Sequence, residues 1–272
     1  MGIPPARIRI GDIEVAYRVG GRGTPVILLH GLACGQRMWL QQRRKLSDRH
    51  TVITCDLRGH GHSDAPQEAA RYSAAHLGRD LAGFVDALKL DRLAVVGFSL
   101  GGGPALALAA ARPEQVTHLV LADVGAGADD AWRNQWLARR WVDFADRTGW
   151  DELVPDMLRS EFYKAYAHRS PRARCHMAGL IRGTPLVGLR HTLSEVLGKR
   201  ASLFRMRSTL QAIKVPTLVL LGQHDYVCRN AAKLMADTIP GAVLHRIPGA
   251  GHMSPLEQPD AFSDAVAAFL AS

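Results

Sequence analysis

The chain has 272 residues, 47% of them hydrophobic and 22% charged, a length and balance that suit one large globular domain or a core with an insertion. No apolar run nears the roughly 20 residues that span a bilayer, and the opening stretch MGIPPARIRIGD has no apolar leader segment, which predicts a cytoplasmic protein with no membrane partner. The net charge of +9 has a surplus of 6 between Gly125 and Leu210, where 15 basic and 9 acidic residues are interspersed with apolar ones; this pattern reads as a solvated helical surface and argues against a nucleic-acid partner.

Ala6–Ile10 and Ile13–Val19 alternate apolar and polar residues around Gly11-Asp12 and predict a hairpin. Pro25–Leu29 predicts a buried strand, Met38–Leu46 a short helix, and Thr51–Cys55 a strand ending in the loop DLRGHGHSDAP. Ser73–Leu88 carries Leu77, Leu81, Phe84, Val85 and Leu88 near helical spacing. Leu93–Val96 predicts a strand, Gly102–Ala111 a helix stopped before Pro113, and Leu119–Ala122 a further strand. The alternation then breaks. Gly125 to Leu210 is helical in character and holds four of the five tryptophans, Trp132, Trp136, Trp141 and Trp150. Pro216–Leu221 resumes as a strand, followed by helix Ala231–Thr238, strand Ala242–Arg246 and helix Pro259–Leu270. Alternating strands and helices imply a parallel sheet covered on both faces, here with a helical insertion late in the sheet order.

VVGFSLGGG, at the end of the Leu93–Val96 strand, fits G-x-S-x-G in the strand–turn–helix context that a nucleophile elbow needs. Gly97 and Gly101 let the chain pass closely around Ser99, and the following helix directs its amide end, favourable to negative charge, at the hydroxyl. A serine hydroxyl needs a base. Among twelve histidines, His252 lies in the loop GAGHMSPLEQP between the last strand and the last helix. His245 falls inside a strand and His224 beside an acid, and neither is favoured. The base needs an orienting carboxylate: Asp225, in GQHDYV past the strand PTLVLL, is favoured, with Asp123 at the end of an earlier strand as the rival. Two amides must hold the oxyanion, and those of Leu32 and Leu100 are the candidates. Cys34, Cys55, Cys175 and Cys228 form no CxxC pair, which predicts reduced thiols mostly in the core and no zinc or redox motif; Cys34 and Cys228 each lie beside a candidate site loop. GGRGTP lacks the Lys-Ser/Thr ending of a phosphate loop, so neither a metal nor a cofactor is expected.

The ordered markers LLHGLACG, DLRGHGHSD, GFSLGGG, GQHDYV and GAGHMSPLEQP resemble those of the α/β-hydrolase superfamily, over nearly the whole chain outside the insertion. The resemblance implies eight mostly parallel strands with a helical cap after the sixth: core at 1–124 and 211–272, cap at 125–210. The nearest likeness is to small esterases, enol-lactonases and cofactor-free haloperoxidase-like enzymes. An elbow serine departs from the aspartate of haloalkane dehalogenases and epoxide hydrolases, and GFSLG from the GGSWG of proline iminopeptidases. The expectation is hydrolysis of a small ester or lactone with an apolar acyl group. Hydrolysis of a C–C bond or cofactor-free perhydrolysis on the same three side chains is the alternative, and a ligand receptor on this fold is a third reading.

Overall fold

A computed structural model describes residues 4–125, 131–200 and 202–272. Eight strands make one sheet: β1 (Ala6–Ile10), β2 (Ile13–Gly21), β3 (Thr24–Leu29), β4 (His50–Cys55), β5 (Leu93–Phe98), β6 (Val116–Ala122), β7 (Thr217–Gly222) and β8 (Val243–Ile247). Their spatial order is β1-β2-β4-β3-β5-β6-β7-β8. Only β2 runs against its neighbours, pairing antiparallel with β1 and β4, while the pairs from β4 to β8 are parallel. The mostly parallel α/β architecture read from the alternation is therefore the architecture of the chain.

Burial follows the composition of each strand. Every residue of β5 (LAVVGF) and of β7 (TLVLLG) is buried, as expected for central parallel strands with helices over both faces. Edge strand β1 buries only Ile10 fully, and its arginines lie outward. The flanking helices are α1 (Leu40–Leu46), α2 (Ala74–Ala87) and α3 (Gly102–Ala111). In α2, Ser73 caps the first turn by accepting the His76 amide at 3.1 Å, and Leu77, Leu81, Phe84 and Val85 form the buried stripe. The α3 helix is apolar nearly all round and sinks into the core beneath the serine turn.

Between β6 and β7 the described residues are helical: α4 (Ala131–Thr148), α5 (Trp150–Arg159), α6 (Lys164–Ala167), α7 (Pro171–Arg182), α8 (Leu186–His191), a π-helical turn over Thr192–Leu197, and α9 (Arg207–Gln211). Trp141 is buried in this insertion, whereas Trp132 and Trp136 are 72% and 49% exposed, so those two do not fill the interior. After β7 come α10 (Arg229–Thr238), α11 (Ser254–Glu257) and α12 (Pro259–Leu270). No helix among the described residues is long and apolar enough to cross a membrane.

Candidate active site

The parallel strands end on one side of the sheet, where loops from several strands meet. Ser99 lies there, at the end of β5, with φ of 49°. A non-glycine residue at positive φ is strained, and the tight passage explains the neighbouring glycines. A Cβ on Gly97 would sit 2.6 Å from the Gly101 carbonyl oxygen, and one on Gly101 2.6 Å from that of Leu29. Backbone cannot yield to such contacts, so only glycine allows the turn that lifts the Ser99 hydroxyl off the end of the strand.

His252, buried in the loop between β8 and α11, places Nε2 3.1 Å from Ser99 Oγ and Nδ1 2.8 Å from Asp225 Oδ2. Asp225 is buried as well. Burial alone would raise its carboxyl pKa, but the His252 imidazole and donors from Cys228 more than offset this and hold it below the ordinary value. One of those donors is the Cys228 amide, 3.2 Å from Asp225 Oδ1. The carboxylate therefore fixes the imidazole tautomer with hydrogen on Nδ1, which leaves Nε2 free to accept from Ser99. Phe98 and Phe162 pack on the imidazole, with ring centroids 5.5 and 5.1 Å away.

The rival acid, Asp123, takes another place. Its φ is 50° and it is fully buried. Its Oδ1 accepts the Gly222 amide at 2.7 Å and its Oδ2 lies 2.5 Å from Ser254 Oγ. It has no hydrogen bond to His252 among the described residues. His224 and His245 are exposed and stand outside the cluster.

Leu32 and Leu100 line the same cavity as Ser99 and His252. The Leu32 loop is held from below by His30, whose Nδ1–H donates to the Gly31 carbonyl at 2.7 Å and whose Nε2 accepts the Leu57 amide at 2.9 Å. Burial pushes the His30 pKa down to about 4, which keeps it neutral and able to do both. Cys34 Sγ donates to the Leu32 carbonyl at 3.3 Å, and burial pushes its thiol pKa up. Cys55 and Cys228 are likewise buried, Cys175 is exposed, and all four are free.

Three groups that sequence reasoning did not single out also shape the site. Tyr163, between α5 and α6, donates from its hydroxyl to the Leu32 carbonyl at 2.9 Å. Nothing in the sequence joins residues 131 positions apart. The Glu257 carboxylate accepts the amides of Gly251 and Met253 at 2.9 and 3.0 Å and so clamps the loop on both sides of His252. Its signal was local, an acid five positions past the histidine. Arg200 lines the cavity itself; one arginine among many offers no sequence signal.

Asp225, Cys228 and His252 have donor atoms within 4.8 Å of one another, a spacing that a metal could bridge. Their atoms are already engaged, however: Asp225 with His252 and with the Cys228 amide, and Cys228 Sγ with the Asp123 carbonyl at 3.2 Å. Burial and the two neighbouring carboxylates push the Cys228 thiol pKa well up, away from the thiolate that binds metals.

Among solved structures, the chain is similar to a thermophilic esterase from Thermogutta terrifontis, at 30% identity over 98% of each chain with a TM-score of 0.87. It is also similar to the enol-lactonase from Burkholderia xenovorans LB400, at 28% identity over 98% of this chain and 100% of that one with a TM-score of 0.84. A 2-hydroxymuconate semialdehyde hydrolase of Pseudomonas sp. (strain CF600) is 29% identical over 272 residues, covering 92% of this chain and 88% of that one. The model of the alpha/beta hydrolase family matches residues 26–265, a span that contains the serine elbow, Asp225 and His252, and the chain belongs to that family.

Proposed function

We propose that this protein is a serine hydrolase that cleaves a small carboxylic ester or lactone through an acyl-enzyme. The observation that carries the reading is the continuous line from Ser99 Oγ to His252 Nε2, 3.1 Å, and from His252 Nδ1 to Asp225 Oδ2, 2.8 Å. His252 takes the Ser99 proton as Oγ attacks the substrate carbonyl. Asp225 holds the tautomer and stabilises the imidazolium. The amides of Leu32 and Leu100 receive the oxyanion, in a site whose water-poor walls strengthen those bonds. His252 then gives the proton to the leaving alcohol, and water, activated by the same imidazole, attacks the acyl carbon and releases the acid. These steps use side chains, amides and water alone.

Residues 125–210 serve as the lid over a core made of residues 1–124 and 211–272. Leu137, Ala138, Trp141, Leu193 and Leu197 of the insertion line the Ser99 cavity, which supports an apolar acyl or alcohol group in the substrate. Four free cysteines, three of them buried, support a reducing compartment, the cytoplasm.

A fluorophosphonate tests the nucleophile. One adduct, mapped by peptide mass to Ser99, is expected, with hydrolysis lost in Ser99→Ala. An adduct elsewhere, or full activity of Ser99→Ala, refutes it. Hydrolysis of a C–C bond is the second reading, supported by similarity to the 2-hydroxymuconate semialdehyde hydrolase. A vinylogous diketone turned over faster than every ester and lactone in a matched panel would replace the first reading with this one.

A further inference from the structure

A cleft of about 750 Å³ opens where β2, the 3₁₀ turn over Gln36–Trp39 and α1 meet α6 and α7 of the insertion. It shares no lining residue with the Ser99 cavity. Four arginines line it: Arg18 from β2, Arg37 from the 3₁₀ turn, Arg43 from α1 and Arg172 from α7. No acid among the described residues does. Elsewhere such side chains meet carboxylates: Arg58 meets Asp80 at 2.7 Å, Arg71 meets Asp12 at 2.6 Å and Arg140 meets Asp156 at 2.6 Å. Arg37, Arg43 and Arg172 have no carboxylate partner among the described residues, and Arg43 Nε is buried with no acceptor there.

Guanidinium groups stay charged at any ordinary pH, and like charges gathered in one cleft repel. Lost hydration, and then the Arg18 charge, push the Arg43 pKa down. Lost hydration, and then the charges of Arg37 and Arg172, do the same to His176 on the cleft wall. Both the core side and the insertion side therefore supply the positive field. The first turn of α7 adds to it: its cap Ser170 and its residue Ala173 also line the cleft, and the turn carries no acid to offset the positive end of the helix. A bound anion relieves this repulsion, and phosphoryl oxygens match the guanidinium fork with paired hydrogen bonds. The four cations come from four separate elements, so one small monoanion does not engage them all. Two linked phosphoryl groups spread their charge over a longer reach. Leu40, 52% exposed, and Tyr166 give the cleft an apolar wall beside the arginines, with room for an organic remainder.

We infer that this cleft is a binding site for the diphosphate group of a small soluble molecule, held by Arg37, Arg43 and Arg172 in the field of Arg18. Bound there, the diphosphate braces α7 against the turn that follows the Leu32 loop. The inference does not depend on the serine-hydrolase reading.

Calorimetry of the whole chain in magnesium-free, low-salt buffer tests the site with inorganic pyrophosphate, ADP and AMP. Pyrophosphate or ADP should bind once per chain and more tightly than AMP, and added salt should weaken the binding. The tighter of the two identifies an inorganic or an organic source for the group. Arg43→Gln and Arg172→Gln should each weaken that binding by about 10- to 100-fold, the range of one charged hydrogen-bonded contact, and Arg43→Lys should fall between. Arg246→Gln removes the same charge from the exposed face of β8 and should leave binding unchanged, as should Ser99→Ala. Saturating pyrophosphate or ADP should raise the melting temperature of the wild type but not of the Arg43→Gln, Arg172→Gln double variant. Melting of the unliganded variants separates lost contact from lost fold. Absence of binding at millimolar concentration overturns the site. So does binding that survives in the double variant, that falls equally in Arg246→Gln, or that is lost in Ser99→Ala. Tighter binding to phosphatidylglycerol vesicles or to a DNA duplex through the same arginines also overturns it, and makes the cleft part of a surface for a larger partner.

Discussion

Asp123 and Gly222 join neighbouring strands at the edge of the site: Asp123 Oδ1, past the end of β6, accepts the amide of Gly222, the last residue of β7, at 2.7 Å. Gly222 also accepts the Asp225 amide at 2.9 Å, so the turn that presents Asp225 to His252 is tied to Asp123 through one residue. The Asp123 carboxyl also faces that of Asp225 within hydrogen-bonding reach, and burial together with the Asp225 charge pushes its pKa well above the carboxylate range. Through its bond to the Gly222 amide, Asp123 acts as a positioning residue behind Asp225. Asp225→Asn should lower kcat on the order of 10⁴-fold, as the same change does in serine proteases. Asp123→Asn, which keeps an acceptor for Gly222 and supplies donors toward Asp225, should retain activity within about tenfold. Asp123→Ala strands the Gly222 amide and Ser254 hydroxyl and should lose about 1–3 kcal/mol of stability. Steady-state kinetics and chemical denaturation of the three variants check this, and an Asp123→Asn loss as deep as that of Asp225→Asn would make Asp123 the orienting acid.

The same pair sets opposite pH dependences of stability. Asp123 has a folded pKa above its unfolded value, so the native state holds a proton that the unfolded chain releases. Its contribution is fully present below about pH 4 and is lost as pH rises toward the folded pKa. Asp225 has a folded pKa below its unfolded value, so its contribution is present above about pH 4 and is lost as pH falls. Asp123→Asn removes the first dependence and keeps the second. Urea midpoints measured from pH 4 to 9 should fall less steeply with pH in Asp123→Asn than in the wild type. Parallel curves would show that Asp123 is ionised in the fold.

What the sequence disclosed depended on range. β5 and β7 were readable because each holds an unbroken apolar run, Leu93–Val96 and Leu218–Leu221, but β6 begins at Val116 rather than Leu119, since Thr117, at a shift of register, and His118, which pairs with Ala94, interrupt the apolar signal. The helix expected over Met38–Leu46 is a 3₁₀ turn over Gln36–Trp39 continued by α1, a distinction that composition does not encode. Ser99 and His252 were legible because each sits in a short loop rich in glycine between recognisable elements. Tyr163 and Arg200 were not. Their importance is a matter of which way a side chain faces across the cavity, and helical periodicity in a segment crowded with arginine and apolar residues does not fix that direction.

Glu257 gives a test of loop rigidity. With the amides on either side of His252 both bonded to its carboxylate, Glu257→Ala frees two buried donors and lets the imidazole drift from Ser99. Small displacements of a positioned base are costly in rate. The expected result is a fall in kcat of about 10- to 100-fold with KM little moved, and partial recovery in Glu257→Gln, which keeps one acceptor oxygen. An equal fall in both variants, tracking their melting temperatures, would assign Glu257 to stability alone.

The helical insertion makes a forecast about chain length. Leu137, Trp141, Leu193 and Leu197 form much of the wall around Ser99, and the space left open is about 50 Å³, room for only a few heavy atoms. Each methylene buried there should contribute about 0.8 kcal/mol, or about fourfold in kcat/KM, until the space is full. Across p-nitrophenyl acetate, propanoate, butanoate, pentanoate, hexanoate and octanoate, kcat/KM should climb over the first members and then fall. Leu193→Ala enlarges the wall and should move the optimum to a longer acyl chain, at a cost in stability of about 2–5 kcal/mol for a buried leucine. Trp141→Phe should move it less, because the smaller ring still covers part of the wall, although the 3.0 Å bond from the indole Nε1 to Asp156 is lost. A profile flat from two to eight carbons in the wild type would mean that the acyl group lies away from the insertion, with the alcohol or the lactone ring against it instead.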